Sequence, residues 1–179
     1  MKNIVVVAAM VIVALAGAGC KQQEQKQQVN YTPAAPPALL QIDQMQQAAK
    51  MAPKNARAWI NLGNTLMDAQ RFSEAVDAYE KAVALDPKNV DVLVDLGTCY
   101  RGIGKFDKAM ELYRRGIKIN PNHLNAHRNS GVVLAFDLND KKEAVKAFEK
   151  YLGLAPAAPD AAQIRQTIQE LKAGSPAGK

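Results

Sequence analysis

Apolar residues along the middle of the chain recur three and four positions apart, the spacing that stacks them on one side of a helix turning about 100° per residue. Trp59, Leu62, Gly63 and Leu66 form one such stripe, and Ala75, Tyr79 and Ala82 form an answering stripe further on. The pair of stripes then returns. Pro53, Pro87 and Pro121 stand 34 residues apart, and the set Trp59, Leu62, Gly63, Leu66, Ala75, Tyr79, Ala82 and Pro87 is matched by Leu93, Leu96, Gly97, Tyr100, Ala109, Tyr113, Gly116 and Pro121. A third set runs His127, Ser130, Gly131, Leu134, Ala144, Phe148, Tyr151 and Pro156. Asp86-Pro87, Asn120-Pro121 and Ala155-Pro156 end the second helix of each pair, because a residue before proline is pushed out of the helical region. The pattern predicts helices near residues 39–51, 56–69, 72–85, 90–102, 106–118, 124–136, 140–153 and 159–172, and no strands.

Gly63, Gly97 and Gly131 fall mid-helix, where glycine costs about 1 kcal/mol relative to alanine. Close backbone approach between paired helices is the expected compensation. A unit of this length, with a bulky residue, Leu-Gly, an aromatic, Ala and Pro in order, resembles the tetratricopeptide repeat. The resemblance implies an all-α fold, a helix-turn-helix solenoid of about three tetratricopeptide repeats spanning residues 38–173, with a short tail at 174–179. One helix pair cannot bury its own stripe, so the ends need caps. Upstream, Ile42, Met45, Ala48 and Ala49 suggest the second helix of an N-terminal half-repeat, with Ala48 placed before Pro53 as Ala82 is before Pro87. Downstream, Ile164, Ile168 and Leu171 mark a C-terminal capping helix. In the third repeat the stretch from Leu134 to Ala144 is one residue longer than Leu66 to Ala75, and the extra residue is expected in the turn Asp137-Leu138-Asn139-Asp140. Ser130 and Tyr151 replace small or apolar residues, so the last helix pair should pack differently.

Composition changes the picture at the N-terminus. A lysine at position 2, an apolar run over residues 4–19 and then Cys20 read as a signal peptide or membrane anchor occupying residues 1–19. The run is shorter than the roughly 20 residues that span a bilayer, which favours cleavage. Gly17-Ala18-Gly19-Cys20 resembles a bacterial lipobox, which implies cleavage before Cys20 and lipidation of that cysteine. Two other outcomes stay open: cleavage after Ala14-Leu15-Ala16, or retention of the run as an anchor. Residues 20–37 are rich in glutamine and then proline. Such a segment is a tether with a span on the order of 20 to 25 Å. By resemblance to lipoproteins in which an aspartate after the cysteine signals retention, Lys21 favours the outer membrane. The expected location is the bacterial cell envelope, membrane-tethered and facing the periplasm.

Candidate chemistry is sparse. His123 and His127 are four apart, a spacing at which two imidazoles reach one metal, yet His127 fills the slot of Trp59 and Leu93 and no third ligand is evident. Packing is the expected role, and neither a metal nor another cofactor is assigned. Cys99 reads as a small buried hydrophobe. Arg101-Gly102-Ile103-Gly104-Lys105 follows no strand, as a phosphate-binding loop would. No serine, histidine and acid stand at readable spacing, so the chain is not expected to be an enzyme. The formal net charge of +6 is spread over lysines and arginines that alternate with acids, as between Lys108, Arg114 and Lys118 and Asp107 and Glu111. That pattern belongs to solvated helix faces, and nucleic acid is not an expected partner.

Stacked repeats turn the free side of each first helix into an inner groove. By repeat position its lining is Arg57, Ile60, Asn61, Asn64 and Met67, then Asp91, Val94, Asp95, Thr98 and Arg101, then Asn125, Arg128, Asn129, Val132 and Ala135. Amides and charges would bond an extended peptide backbone, and Ile60, Met67, Val94 and Val132 would receive side chains. Some members of the repeat family clamp a partner's C-terminal carboxylate through lysine, asparagine and arginine. Only Asn64 matches that set; Ile60, Asp95, Asn125 and Asn129 occupy the other clamp positions, and Asp95 repels a carboxylate. The expected function is a non-catalytic, membrane-tethered scaffold that binds a protein or extended peptide during complex assembly. Alternatives are a pilotin-like assembly lipoprotein of a pilus or secretion system, or a metal- or redox-linked envelope accessory protein using His123, His127 or Cys99.

Overall fold

A computed structural model of the protein describes residues 37–174. The expected signal segment, the tether up to residue 36 and the tail from residue 175 lie outside the described residues. The chain forms α1 (Pro37–Met51), α2 (Ala56–Asp68), α3 (Phe72–Leu85), α4 (Val90–Gly102), α5 (Phe106–Ile119), α6 (Leu124–Val132), α7 (Lys141–Leu154) and α8 (Ala161–Ala173). A π-helical turn, Val133–Asp137, continues α6, and no strand occurs among the described residues. Helices α2 and α3, α4 and α5, and α6 and α7 make the three pairs; α3 packs on α4 and α5 on α6, while α1 and α8 close the ends against α2 and α7.

Each first helix starts from a side-chain cap. Asn55 Oδ1 accepts from the Arg57 N–H, Asn89 Oδ1 from the Val92 N–H, and His123 Nδ1 from the Ala126 N–H. Six residues after each of two period-marking prolines, an aromatic N–H satisfies the proline carbonyl: Trp59 Nε1 donates to Pro53 O at 2.9 Å and His127 Nε2 to Pro121 O at 2.8 Å. Leu93 has no such donor, and Arg115 from α5 bonds the Pro87 carbonyl instead. The imidazole of His127 therefore packs as a smaller tryptophan.

The compensation for the mid-helix glycines differs from the expected backbone contact. A Cβ on Gly63 would lie 2.7 Å from the Tyr79 ring, one on Gly97 2.5 Å from Tyr113, and one on Gly131 2.5 Å from Phe148. The aromatic rings of the second helices rest on the bare backbone, and all three rings are fully buried.

The half-repeat is present, with one expected contact absent. Ile42 and Ala49 are buried, but Ala48 is exposed although Ala52 N bonds its carbonyl as Asp86 N bonds Ala82 O. Ala82 is buried, and at the equivalent Gly116 a Cβ would face Val90 and Val94 on the first helix of its pair. The half-repeat has no first helix, and the corresponding side of α1 carries Gln41, Gln44 and Ala48, all exposed.

The extra residue of the third repeat is not in the turn. In the first two repeats Arg71 N bonds Leu66 O and Lys105 N bonds Tyr100 O; in the third, Asp140 N bonds Leu134 O. The same closure spans one more residue, absorbed as wide i→i+5 hydrogen bonding at the end of α6. The turn itself keeps its form, with Gln70, Gly104 and Asn139 at positive φ of 58°, 74° and 54°. Packing at the last pair does differ as expected: the Tyr151 hydroxyl donates to Asp160 at the start of α8, and Arg128 bonds the same carboxylate.

Two substitutions test this packing by urea denaturation. Gly97→Ala improves helix propensity yet places a methyl inside the Tyr113 ring, and a net loss of about 1–3 kcal/mol is expected. Trp59→Ala leaves a cavity and the Pro53 carbonyl without its donor, and should cost about 3–5 kcal/mol.

Candidate peptide-binding groove

The sequence-assigned groove residues fall along α2, α4 and α6, and several meet across the repeats. Asn129 Nδ2 on α6 donates to Thr98 Oγ1 on α4 at 3.2 Å, and His123 Nε2 donates to Asp91 Oδ1 at 2.9 Å. Arg57, Asn61, Asn64, Asp91 and Asn125 are exposed, whereas Ile60, Met67, Asp95, Thr98, Arg101, Arg128, Asn129 and Val132 are half-buried. Val94 does not line the groove. It is 3% exposed, and its Cγ2 lies 3.7 Å from where a Cβ on Gly116 would stand. Glycine in place of Ala82 opens space between α4 and α5, which Val90 and Val94 fill. Ala135 is also buried, at 8% exposure, because the π turn rotates it inward.

Sequence reading missed the hydroxyls. The rings that rest on the glycines are fully buried, and their hydroxyls hold groove side chains from beneath: Tyr79 OH donates to Asn64 Oδ1 at 2.6 Å, and Tyr113 OH lies 3.3 Å from Thr98 Oγ1, which itself donates to Val94 O. In the third repeat Phe148 has no hydroxyl, and the matching groove position is Val132. The signal was available, because the two positions change polarity together from repeat to repeat.

Charge along the groove is reorganised by pairing. Asp137, brought in by the π turn, holds Arg101 through Oδ2 to Nε at 2.5 Å and Oδ1 to Nη2 at 3.5 Å. Asp160 holds Arg128, and hydrogen bonds from Tyr151 and Arg128 keep its carboxyl below the usual carboxylate range. Arg101 and Arg128 are thus neutralised within the chain, while Arg57 on α2 stays exposed. Asp95 accepts no hydrogen bond from the described residues. Burial, followed by the neighbouring Asp91 carboxylate, pushes its carboxyl up to about 6, with His123 opposing and Asp68 adding.

The other candidate chemistry resolves into packing and caps. His123 uses both ring nitrogens, in its cap and on Asp91, and His127 Nε2 is held by Pro121 O. Cys99 is fully buried, and burial, then Asp95, pushes its thiol up to about 12, far from the thiolate form that redox or metal chemistry uses. Among the described residues, no three His, Cys, Asp or Glu side chains gather in a way that could hold a metal ion.

Residues 44–162 match the family described as the cytochrome c-type biogenesis protein H TPR domain. The chain belongs to this tetratricopeptide-repeat family. No curated protein matches it. Among solved structures it is similar to the crystal structure of MamA, with 24% identity, 74% of this chain and 75% of that chain covered, and a TM-score of 0.69. It is also similar to the first TPR of Spaghetti (RPAP3) bound to the HSP90 peptide SRMEEVD, with 26% identity, 65% and 93% covered, and a TM-score of 0.60. The Yersinia enterocolitica type III secretion chaperone SycD, solved with a peptide of the translocator YopD, shares the fold at 15% identity, 65% and 92% covered, and a TM-score of 0.61. The family's solenoid is a protein-interaction fold, and such domains are generally non-catalytic.

The perturbed Asp95 makes a stability prediction with a defined sign. The folded state holds its proton more tightly than an unfolded chain, in which aspartate titrates near 4. Ionised Asp95 therefore lowers stability above about pH 6, and this loss is recovered as pH falls towards 4. Asp95→Asn should raise stability by about 1–2 kcal/mol at pH 7, and the gain should shrink to nothing near pH 4, read by urea denaturation at both values.

Proposed function

We propose that this chain is a non-catalytic scaffold of the bacterial envelope that holds an extended segment of a partner protein along α2, α4 and α6 during complex assembly. The observation that carries the reading is the free inner side of these helices. It presents amides, hydroxyls and carboxylates at the repeat spacing, while the apolar stripes of the same helices are spent on packing. Two fold relatives hold peptides, and the family is described by a biogenesis role, which is an assembly process. Both support a polypeptide ligand in an envelope setting.

Among the described residues no helix is long and apolar enough to cross a membrane. Attachment in this reading falls to the N-terminal segment, through lipid on Cys20 or through residues 4–19 kept as an anchor, with the tether lifting the repeats into the periplasm. The outer membrane is the destination favoured by Lys21.

Two experiments test the two halves of the reading. A photo-crosslinking residue at Asn61 or Asn129 should capture one protein from intact envelopes, and the same residue at Glu111 or Lys118 on exposed α5 should not; equal capture from both sides counts against the groove. Cys20→Ser should move the chain from the membrane fraction to the soluble one. Retention in membranes would replace lipidation with an uncut anchor.

A further inference from the structure

The one-residue insertion of the third repeat leaves an apolar recess beside the groove. Phe72, at the start of α3, lies flat on Gly102 of the next repeat, where a Cβ would stand 2.6 Å from its ring. Phe106 starts α5 in the equivalent position and would cover the third repeat in the same way. There the chain is a π turn with Phe136 in place of the glycine, at 65% exposure; Leu138 is exposed, and Phe106, like Phe72, is half-buried. Between the two phenylalanines lies an open cleft of about 500 Å³ lined by Phe72, Phe106, Thr98, Gly102 and the Arg101–Asp137 pair, whose Asp137 the π turn supplies.

Thr98 belongs to both the cleft and the groove, so the two are continuous. Asp91, Asp95, Thr98 and Gly102 follow each other at four, three and four residues on α4, one stripe of the helix. Arg101 and Arg128 are held by Asp137 and Asp160, and Arg57 stands apart on α2; Asp91, exposed although bonded to His123, and half-buried Asp95 are the carboxylates that a ligand on this stripe meets. At 1.5 Å per residue, Asp95 lies about 10 Å along the helix from Gly102, the reach of about three residues of extended chain.

We propose that this cleft is an anchor pocket for an aromatic or large aliphatic side chain of a partner segment whose lysine or arginine, about three residues away, pairs with Asp95 and Asp91. This specificity rests on the reading of the inner face as polypeptide-binding. The acidic HSP90 peptide held by the RPAP3 domain would meet Asp91 and Asp95 here with the wrong sign.

Fluorescent decapeptides carrying Phe-x-x-Lys or Lys-x-x-Phe, with Phe→Ser and Lys→Glu counterparts, test the proposal by anisotropy on the detergent-solubilised full chain. At least one parent peptide should bind about tenfold tighter than both of its counterparts. Asp95→Asn, which keeps shape and removes charge, should erase the Lys-over-Glu preference and reduce the salt dependence. Phe106→Ser should erase the Phe-over-Ser preference; its folding is checked by circular dichroism, and Asp95→Asn carries the test by itself if Phe106→Ser unfolds. Equal binding of all peptides, tighter binding of the Glu versions, or a charge preference that survives Asp95→Asn overturns the proposal. Absence of peptide binding alongside one-sided crosslinking from Asn61 and Asn129 removes this pocket and leaves the scaffold standing. Loss of both removes the scaffold as well.

Discussion

An aromatic ring laid on a helical glycine is the contact on which this solenoid depends. Tyr79 on Gly63, Tyr113 on Gly97 and Phe148 on Gly131 set the separation of the two helices in each pair, because the ring fills the space a side chain would take. Burying such a ring is worth on the order of 4 kcal/mol, well above the roughly 1 kcal/mol that glycine costs a helix. The same contact also reaches the binding face. A ring that crosses the pair ends beneath the inner surface, where its buried hydroxyl fixes a groove side chain, as at Asn64 and Thr98. Packing and recognition are thereby joined in one side chain.

Around that contact the repeats tolerate wide substitution when a required polar interaction is met by another route. The carbonyl of each period-marking proline accepts from a side chain, and Trp59, Arg115 and His127 supply the donor from different positions and different chemistries, as Arg165 does for Pro156. First-helix caps are equally interchangeable, with an imidazole at His123 doing what asparagine does at Asn55 and Asn89. These prolines are exposed and water can replace a lost donor, so each such bond contributes about 0.5–1.5 kcal/mol, and the contact recurs in space from repeat to repeat while the residue that makes it varies.

The insertion in the third repeat has consequences larger than its length. Taken up as a π turn, it keeps the left-handed turn residue and the start of α7 in place, and it moves the disturbance into the end of α6. From there Asp137 reaches Arg101, Ala135 turns inward and Phe136 turns out. One added residue thus places a carboxylate on a groove cation, Arg101, at the edge of a recess beside the groove.

Periodicity made most of the fold legible in the sequence: helix positions follow from residues within one or two turns of each other, and the pairing of stripes, the half-repeat and the packing role of His127 follow from the 34-residue recurrence. The candidate groove was legible only as a set of positions, since repeat register states which side of a helix is free and not what crosses to meet it. Val94 was misplaced because its burial depends on the missing side chain of Gly116 on another helix. The pairing of Arg101 with Asp137 and of Arg128 with Asp160 joins residues more than thirty positions apart, and the ring that lies on each glycine comes from the other helix of its pair. Short-range spacing determines which side of a helix is apolar; the sign of the groove and the depth of its cleft arise from contacts that exist only once the helices are stacked.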